Sequence, residues 1–267
     1  MAAPDLPTAT HETIDRPTFV HLAPDHVSAE VLRDGVVIVI DTLRASTSIA
    51  TALANGAAAI VPALTVDEAV KVEATLRGQG EHTLLGGERG GVRIAGFDLD
   101  NSPRSFARER VAGATIVFTS SNGTAALRHA SGAARVIVGT LANLSAVCAV
   151  ISKDERPVHL LCAATRGDIT LDDALVAGAF AARLVESGRA FASDDAARLC
   201  AMAWASIAPS AGTTPDREAI RHALSIGRGG RNLIRLGLQE DINDCAAIDS
   251  LHVVPEFFAA QGRVRSL

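Results

Sequence analysis

The residues best equipped for chemistry lie between positions 85 and 104, LGGERGGVRIAGFDLDNSPR, where Gly86, Gly87, Gly90 and Gly91 surround Glu88 and Arg89 and two further arginines follow at 93 and 104. Glycines without a Cβ let the backbone take positive φ and approach a ligand closely, while the arginines and the carboxylate supply charges of both signs. Ser102-Pro103 reads as a helix N-cap and first helical residue, so unpaired N–H groups and a partial positive charge follow the loop. Such a segment is suited to an anion. The same residues would also make a glycine-rich hairpin whose Arg and Glu pair in solvent, and other segments must decide between the two.

Polar residues collect at four strand-like ends, this one included, each directly after an apolar run. VVIVI leads into Asp41, Arg44 and Ser46; TLL leads into Gly87, Glu88, Arg89 and Gly90; TIVF leads into Asn122, Gly123 and Thr124; VHLLC leads into Ala163, Ala164 and Arg166. In open parallel sheets ligands sit at the carboxyl ends of the strands, so these ends predict one rim of hydroxyls, N–H donors, arginines and carboxylates. Asp41 can be a metal ligand, a phosphate-accepting nucleophile or a cap for the next helix. Asn122-Gly123-Thr124 can equally be a capped turn, and Asp172-Asp173 a charged first helical turn with one carboxylate within reach of a divalent cation. The 8 histidines show no metal spacing, which argues against zinc, whereas oxygen ligands suit Mg²⁺. A haloacid-dehalogenase mechanism needs a second Asp two residues after the first, and position 43 is Leu.

The elements that must position this rim follow from the pattern. Runs at 36–40, 57–61, 83–85, 115–118, 135–139 and 158–162 alternate with helix-like segments at 45–55, 66–78, 103–111, 123–131, 141–152 and 171–188. This rhythm predicts an α/β fold, a mostly parallel sheet with helices on both faces. Beyond Gly188 the chain reads as mainly helical, at 193–207, 215–226 and 228–237. Residues 1–17 read as a loose tail and 18–267 as the folded domain, with a division into sub-lobes, if any, near 165–190. The chain has 48% hydrophobic but 3% aromatic residues, which favours close-packed aliphatic helices over a sheet. Its net charge of −5 carries no basic cluster, arguing against nucleic acid and membrane surfaces and for a small-molecule ligand.

Two lysines, Lys71 and Lys153, stand against 23 arginines, so lysine-based phosphate loops and Schiff-base chemistry are unsupported and arginine forks must hold any anion. The four cysteines lack C-x-x-C spacing and no apolar leader opens the chain, so a cytoplasmic protein is expected and Cys162 reads as a buried thiol. Ala-rich stretches at 174–184 and 196–208 could bury a partner surface, as in a homodimer.

Taken together, IDTLRASTSIATALANGA, LLGGERGGVRIAGFDLDNSPR, FTSSNGTAAL, CAATRGDITLDDALVAG and the pattern from Ser225-Ile226-Gly227 through Glu240-Asp241-Ile242 to Val254-Pro255 resemble the 2-phosphosulfolactate phosphatase family from about Phe19 to Pro255. The resemblance implies Mg²⁺ dependence and hydrolysis of 2-phospho-3-sulfolactate to sulfolactate, a step of coenzyme M synthesis. It also implies a rim of Asp41, Arg44, Ser46, Glu88, Arg89, Asn101, Ser102, Asn122, Thr124 and Asp173. Asp41, Arg44, Glu88 and Arg89 are the expected catalytic group; Asp41, Glu88 and Asp173 are the expected metal ligands; Arg166 and the Gly87, Gly90 and Gly123 backbones join the substrate contacts. Ala164 stands where Gly is expected, Asp172 where Glu is, and Ser46 and Ser48 where Thr is common. Either Asp41 or a water activated by the metal would attack phosphorus. The competing reading is a non-catalytic binder of small anionic metabolites, or a phosphatase for another ester; a nicotinamide dehydrogenase lacks its G-x-G-x-x-G.

Overall fold

Short β-branched runs form strands and the amphipathic segments between them form helices, in the order β1 (Pro17–His21), β2 (Val36–Ile40), α1 (Ala45–Ala54), β3 (Ala59–Pro62), α2 (Val66–Gly78), β4 (Thr83–Arg89), β5 (Val92–Arg93), α3 (Arg108–Val111) and β6 (Thr115–Thr119). There follow α4 (Gly123–His129), β7 (Arg135–Val138), α5 (Leu144–Ile151), β8 (Val158–Cys162), α6 (Leu171–Glu186) and β9 (Ala190–Phe191). The chain ends with α7 (Ala196–Ser206), α8 (Arg217–Ile226), α9 (Arg228–Arg235), α10 (Gln239–Cys245), β10 (Pro255–Phe258) and β11 (Arg263–Ser266). This computed structural model describes residues 15–192, 195–208 and 213–267.

The strands lie in one sheet in the order β5-β4-β6-β3-β11-β10-β7-β2-β8-β1-β9. Two parallel blocks, β4-β6-β3 and β7-β2-β8-β1-β9, are joined by the antiparallel β10–β11 hairpin, which meets β7 at Glu256↔Ile137 and β3 at Val264↔Ile60. Every residue of β2, β6 and β8 is buried, as in strands covered on both faces. Because successive side chains point to opposite faces, Val36, Ile38 and Ile40 join a core with α5, α6 and α7, while Val37 and Val39 join another with α1 and α4. Helices thus cover both faces, as the alternating pattern predicts.

Three features depart from the sequence expectations. Of the tail expected at 1–17, residues 1–14 lie outside the described residues, and Pro17 already pairs in the sheet through β1. The segment at 103–111 is a 3₁₀ turn, Pro103–Phe106, followed by the short α3. The mainly helical C-terminal part returns to the sheet through β10 and β11, after an α10 that the pattern did not reveal. The Ala-rich face of α6 is turned inward: Gly178 lets α7 approach so closely that a Cβ there would stand 2.1 Å from the Cys200 carbonyl oxygen. Its apolar surface is spent within the chain, whereas α7 exposes Leu199 and Met202. Among the described residues no helix is long and apolar enough to cross a membrane.

Where β1 pairs with β8, the rings of Phe19, His21 and His159 stack, and the His21 Nε2 and His159 Nδ1 atoms are 2.9 Å apart. Burial pushes both histidines down to about 4, with their mutual repulsion adding to the shift of His21. Between pH 6.5 and 4 the unfolded chain therefore binds protons that the native state refuses, and the stability present above pH 6.5 is lost as pH falls. Comparing Tm of wild type and His21→Gln should show the difference moving in favour of the variant as pH drops from 7.5 to 4.5. A pH-independent difference would show that the pair does not titrate in this way.

Candidate active site

A cavity of about 370 Å³ opens where the strand ends meet, lined by Asp41 after β2, Glu88 on β4, Ser121 and Asn122 after β6, and Thr165 and Arg166 after β8. The pairings make the two parallel blocks run in opposite senses, yet residues at strand ends of both blocks line this one cavity. From outside the sheet, Asn101 and helix α9 complete the wall.

Asp41 is buried at the start of the turn into α1. One of its carboxylate oxygens accepts the Ala45 N–H at 3.3 Å, so the capping role exists, and its own N–H donates to Ser46 Oγ at 2.8 Å. The other oxygen fits against Gly123, where a Cβ would come within 2.6 Å of it. Burial above all, then the charges of Asp173 and Glu88, push the Asp41 carboxyl up to about 8. Glu88 is fixed from two sides, accepting the Gly91 N–H at 2.7 Å and the Ser121 N–H at 2.8 Å.

The glycine-rich loop is indeed a hairpin, with Arg89 paired to Val92 across Gly90 and Gly91 at φ +65° and +89°. Its Glu88 is nevertheless buried and turned into the cavity instead of pairing in solvent.

Seven residues expected from sequence line the cavity: Asp41, Arg44, Glu88, Gly90, Asn101, Asn122 and Arg166. The others stand behind them. Arg89 points away, its guanidinium donating to the carbonyls of Glu88 and Leu64 and to Thr119 Oγ1, so it clamps the end of β4 to β6 and does not reach an anion in the cavity. Gly87, at φ +145°, permits that close approach, since a Cβ would lie 2.0 Å from the Thr119 carbonyl oxygen. Asp173 does not line the cavity; its carboxylate accepts the N–H groups of Thr42 at 2.8 Å and Ala164 at 3.1 Å, joining the turns after β2 and β8. Burial raises it to about 6 against the pull of those donors. Ser46 braces the Asp41 turn through Val39, and Thr124 exchanges bonds with Ser120, which supplies the cap of α4. Asn122 makes no cap. It accepts the Arg166 N–H at 3.2 Å and so links two loops.

Arg44 lines the cavity but its charge is already paired. Its guanidinium pairs with Asp241 and donates to the Gly91 carbonyl at 2.8 Å, while Asp241 also accepts from Ser102 Oγ at 2.6 Å. This places Ser102 beside α10 and makes Arg44 a brace between α1, the glycine loop and the C-terminal helices. Ala164 takes φ +59°, so the position where the resemblance anticipates Gly is in the left-handed region that glycine occupies most easily. Cys162 is buried and its thiol pushed well above its ordinary value by burial and by Asp173, which fits a structural thiol.

Sequence reasoning missed the contribution of α9. Arg228, Asn232 and Arg235 reach the cavity from one face of it, at i, i+4 and i+7. That spacing was legible in RGGRNLIR, but only once the segment is known to face a cavity.

The chain was compared with known proteins. The sequence model of the 2-phosphosulpholactate phosphatase family matches residues 21–259. A probable 2-phosphosulfolactate phosphatase of Caldanaerobacter subterraneus subsp. tengcongensis is 38% identical over 225 residues, covering 84% of this chain and 88% of that protein. Proteins of the same name from Symbiobacterium thermophilum and Clostridium perfringens are 38% and 33% identical, covering 87% and 89% of this chain and 95% and 92% of their own lengths.

The clamp geometry of Arg89 has a stability signature. Arg89→Ala removes three hydrogen bonds from one partly buried guanidinium, a net loss of about 2 kcal/mol, and should lower Tm by roughly 4–8 °C. An unchanged Tm, measured by calorimetry, would deny the clamp.

Proposed function

The chain belongs to the 2-phosphosulfolactate phosphatase family, and from that premise we propose that it is a Mg²⁺-dependent phosphoric monoester hydrolase cleaving 2-phospho-3-sulfolactate to sulfolactate and phosphate, an activity of the coenzyme M synthesis type. The observation that carries the reading is the Asp41 carboxyl, buried at a cavity wall beside Glu88 with its acidity weakened to about 8. Such a carboxyl lacks a compensating cation, and one bound beside it would restore the charge that burial disfavours.

The donor set fits Mg²⁺. Asp41 and Glu88 offer carboxylate oxygens, and Asn101 Oδ1 is buried without a hydrogen-bond partner at the same cavity. Among the described residues no group of three or more His, Cys, Asp or Glu is placed to hold a metal ion by itself. Mg²⁺ does not need one, since it keeps several waters and takes substrate phosphate oxygens. When bound it would supply neutralisation of charge on the phosphoryl oxygens. Asp173 is better suited to orienting the Asp41 turn than to ligation, because it stands behind the cavity wall, tied to the N–H groups of Thr42 and Ala164.

The chain's own residues do the remainder. The Arg166 side chain, on a loop fixed by Asn122, offers a planar fork for the phosphoryl group. Arg44 keeps the Gly90–Gly91 turn and α10 in register without meeting the substrate itself. The P–O bond to C2 breaks, a water oxygen ends on phosphorus and a water proton ends on the C2 oxygen. Asp41 stands where it can form the new bond first, as an aspartyl phosphate, or orient that water. Trapping phosphorylated Asp41 in rapid-quench samples identifies the first route, and its absence identifies the second.

Phosphate release from 2-phosphosulfolactate should vanish on exhaustive chelation and return with Mg²⁺; full turnover after chelation overturns the metal assignment. Asp41→Asn keeps the acceptor for the Ala45 N–H but loses the charge, so kcat should fall at least ~10²-fold with Tm nearly unchanged. Near-normal kcat would return Asp41 to a structural cap. Gly123→Ala should lower kcat at least ~10-fold, because the added methyl must displace Asp41 or Ala45. Wild-type turnover in that variant would show that the position of Asp41 is not critical.

A further inference from the structure

The proposed reaction leaves the cationic face of α9 without a role. Arg228, Asn232 and Arg235 line the cavity from this helix, which comes from no strand end and packs on α8 and α10. We propose that α9 is the specificity element of the site, in which Arg235, oriented by Asn232, holds a non-transferred oxyanion of the substrate, its carboxylate or sulfonate, and thereby selects phosphoesters that carry a second strong acid. This rests on the phosphatase reading for the identity of the substrate, but the recognition can be tested without turnover.

Charge pairing supports the assignment. Four arginines line the cavity, yet Arg44 is neutralised by Asp241 and Arg228 makes a 2.6 Å ion pair with Asp168 at the exposed edge. Arg166 and Arg235 face no carboxylate partner among the described residues. With Arg166 on a strand-end loop assigned to the phosphoryl group, Arg235 is the remaining cation for a second anion. Arg235 Nη2 donates to Asn232 Oδ1 at 2.7 Å, a neutral acceptor that fixes the guanidinium without cancelling its charge. The Asn232 amide nitrogen lies over Gly91, where a Cβ would stand 3.2 Å from it, so α9 touches the glycine loop that carries Glu88.

The scaffold is rigid where this recognition needs it. A Cβ at Gly230 would lie 2.1 Å from the Leu224 carbonyl oxygen, and one at Gly229 would lie 3.1 Å from the buried carboxylate of Asp172. The two glycines therefore seat α9 directly on α8 and on the first turn of α6. Asp172 Oδ1 has no hydrogen-bond partner, and burial with the nearby Asp173 charge raises its carboxyl well above the ordinary range. Helix α9 is thereby located relative to the two turns that Asp173 ties together. The backbone that presents Arg235 is thereby fixed before binding.

The test uses Arg235→Gln and Asn232→Leu in the full chain. Calorimetric titration with sulfolactate should show at least tenfold weaker binding to Arg235→Gln than to wild type, with a smaller loss for Asn232→Leu. The ratio of kcat/KM for 2-phosphosulfolactate to that for 4-nitrophenyl phosphate should fall at least tenfold in Arg235→Gln, mostly through KM. Repeating the ratio with 2-phospholactate, which lacks the sulfonate, assigns the group: a retained penalty places Arg235 on the carboxylate and a vanished one on the sulfonate. Equal losses on all esters, or sulfolactate binding that ignores Arg235, overturn the inference even if the enzyme is an active phosphatase. Arg235-dependent sulfolactate binding in a protein that releases no phosphate would instead sustain it and refute the catalytic reading.

Discussion

Keeping carboxylates out of water is the constraint around which the site is built. Asp41, Glu88, Asp172 and Asp173 are each less than 9% exposed, and an unpaired carboxylate buried to that degree is strongly disfavoured. The chain offsets the cost with backbone N–H donors instead of cations. Those donors come from Thr42, Ala45, Gly91, Ser121 and Ala164, on the turns after β2, β6 and β8 and in the glycine hairpin. The interactions that make burial tolerable therefore also fasten separate loops to one another. Asp41 and Asp172 are incompletely compensated, and their raised pKa values record the remainder. The proposed Mg²⁺ would relieve that residual imbalance at Asp41.

A second fastening reaches across the chain. Arg44, 1% exposed, joins the first turn of α1 to Gly91 and to Asp241 on α10, and Asp241 passes the link to Ser102. A buried pair of this kind contributes little net stability compared with an apolar substitute, but breaking one partner leaves an uncompensated charge. Its consequence is geometric. The glycine hairpin cannot shift without disturbing the C-terminal helices, so Glu88 and the arginines of α9 keep their separation across the cavity.

How much of this was readable in advance depended on the range of the interaction. β2 and β8 announce themselves because continuous β-branched and apolar runs have few alternatives as strands, and the pattern at 66–78 coincides with α2. The β10–β11 hairpin was not legible: PEFF and RVRS are short and mixed, and their identity as strands comes from filling the gap between two parallel blocks. Residue types at strand ends forecast Asp41, Glu88, Asn122 and Arg166 at the cavity, because position along the strand fixes which rim they join. Direction is another matter. Arg89 and Glu88 are neighbours on an extended strand, so alternation sends one into the cavity and the other toward Thr119, and a reading that grouped them by type could not separate them.

The placement of opposite charges around one cavity has a further consequence for selectivity. The carboxyl groups of Asp41 and Glu88 and the guanidinium groups of Arg166 and Arg235 face one cavity, so neither a neutral ester nor a lone dianion pairs with all of the walls. Discrimination of this kind works through charges left unpaired when the wrong molecule binds, and the penalty is heaviest at the buried Asp41 and Glu88. On the proposed reading, a ligand that brings several oxyanions together with Mg²⁺ would neutralise both sets of walls at once. The site therefore encodes its preference in the sum of the charges around it, and this is why the arginine that sequence made most conspicuous, Arg89, could be given to the scaffold while the inconspicuous RGGRNLIR helix faces the ligand space.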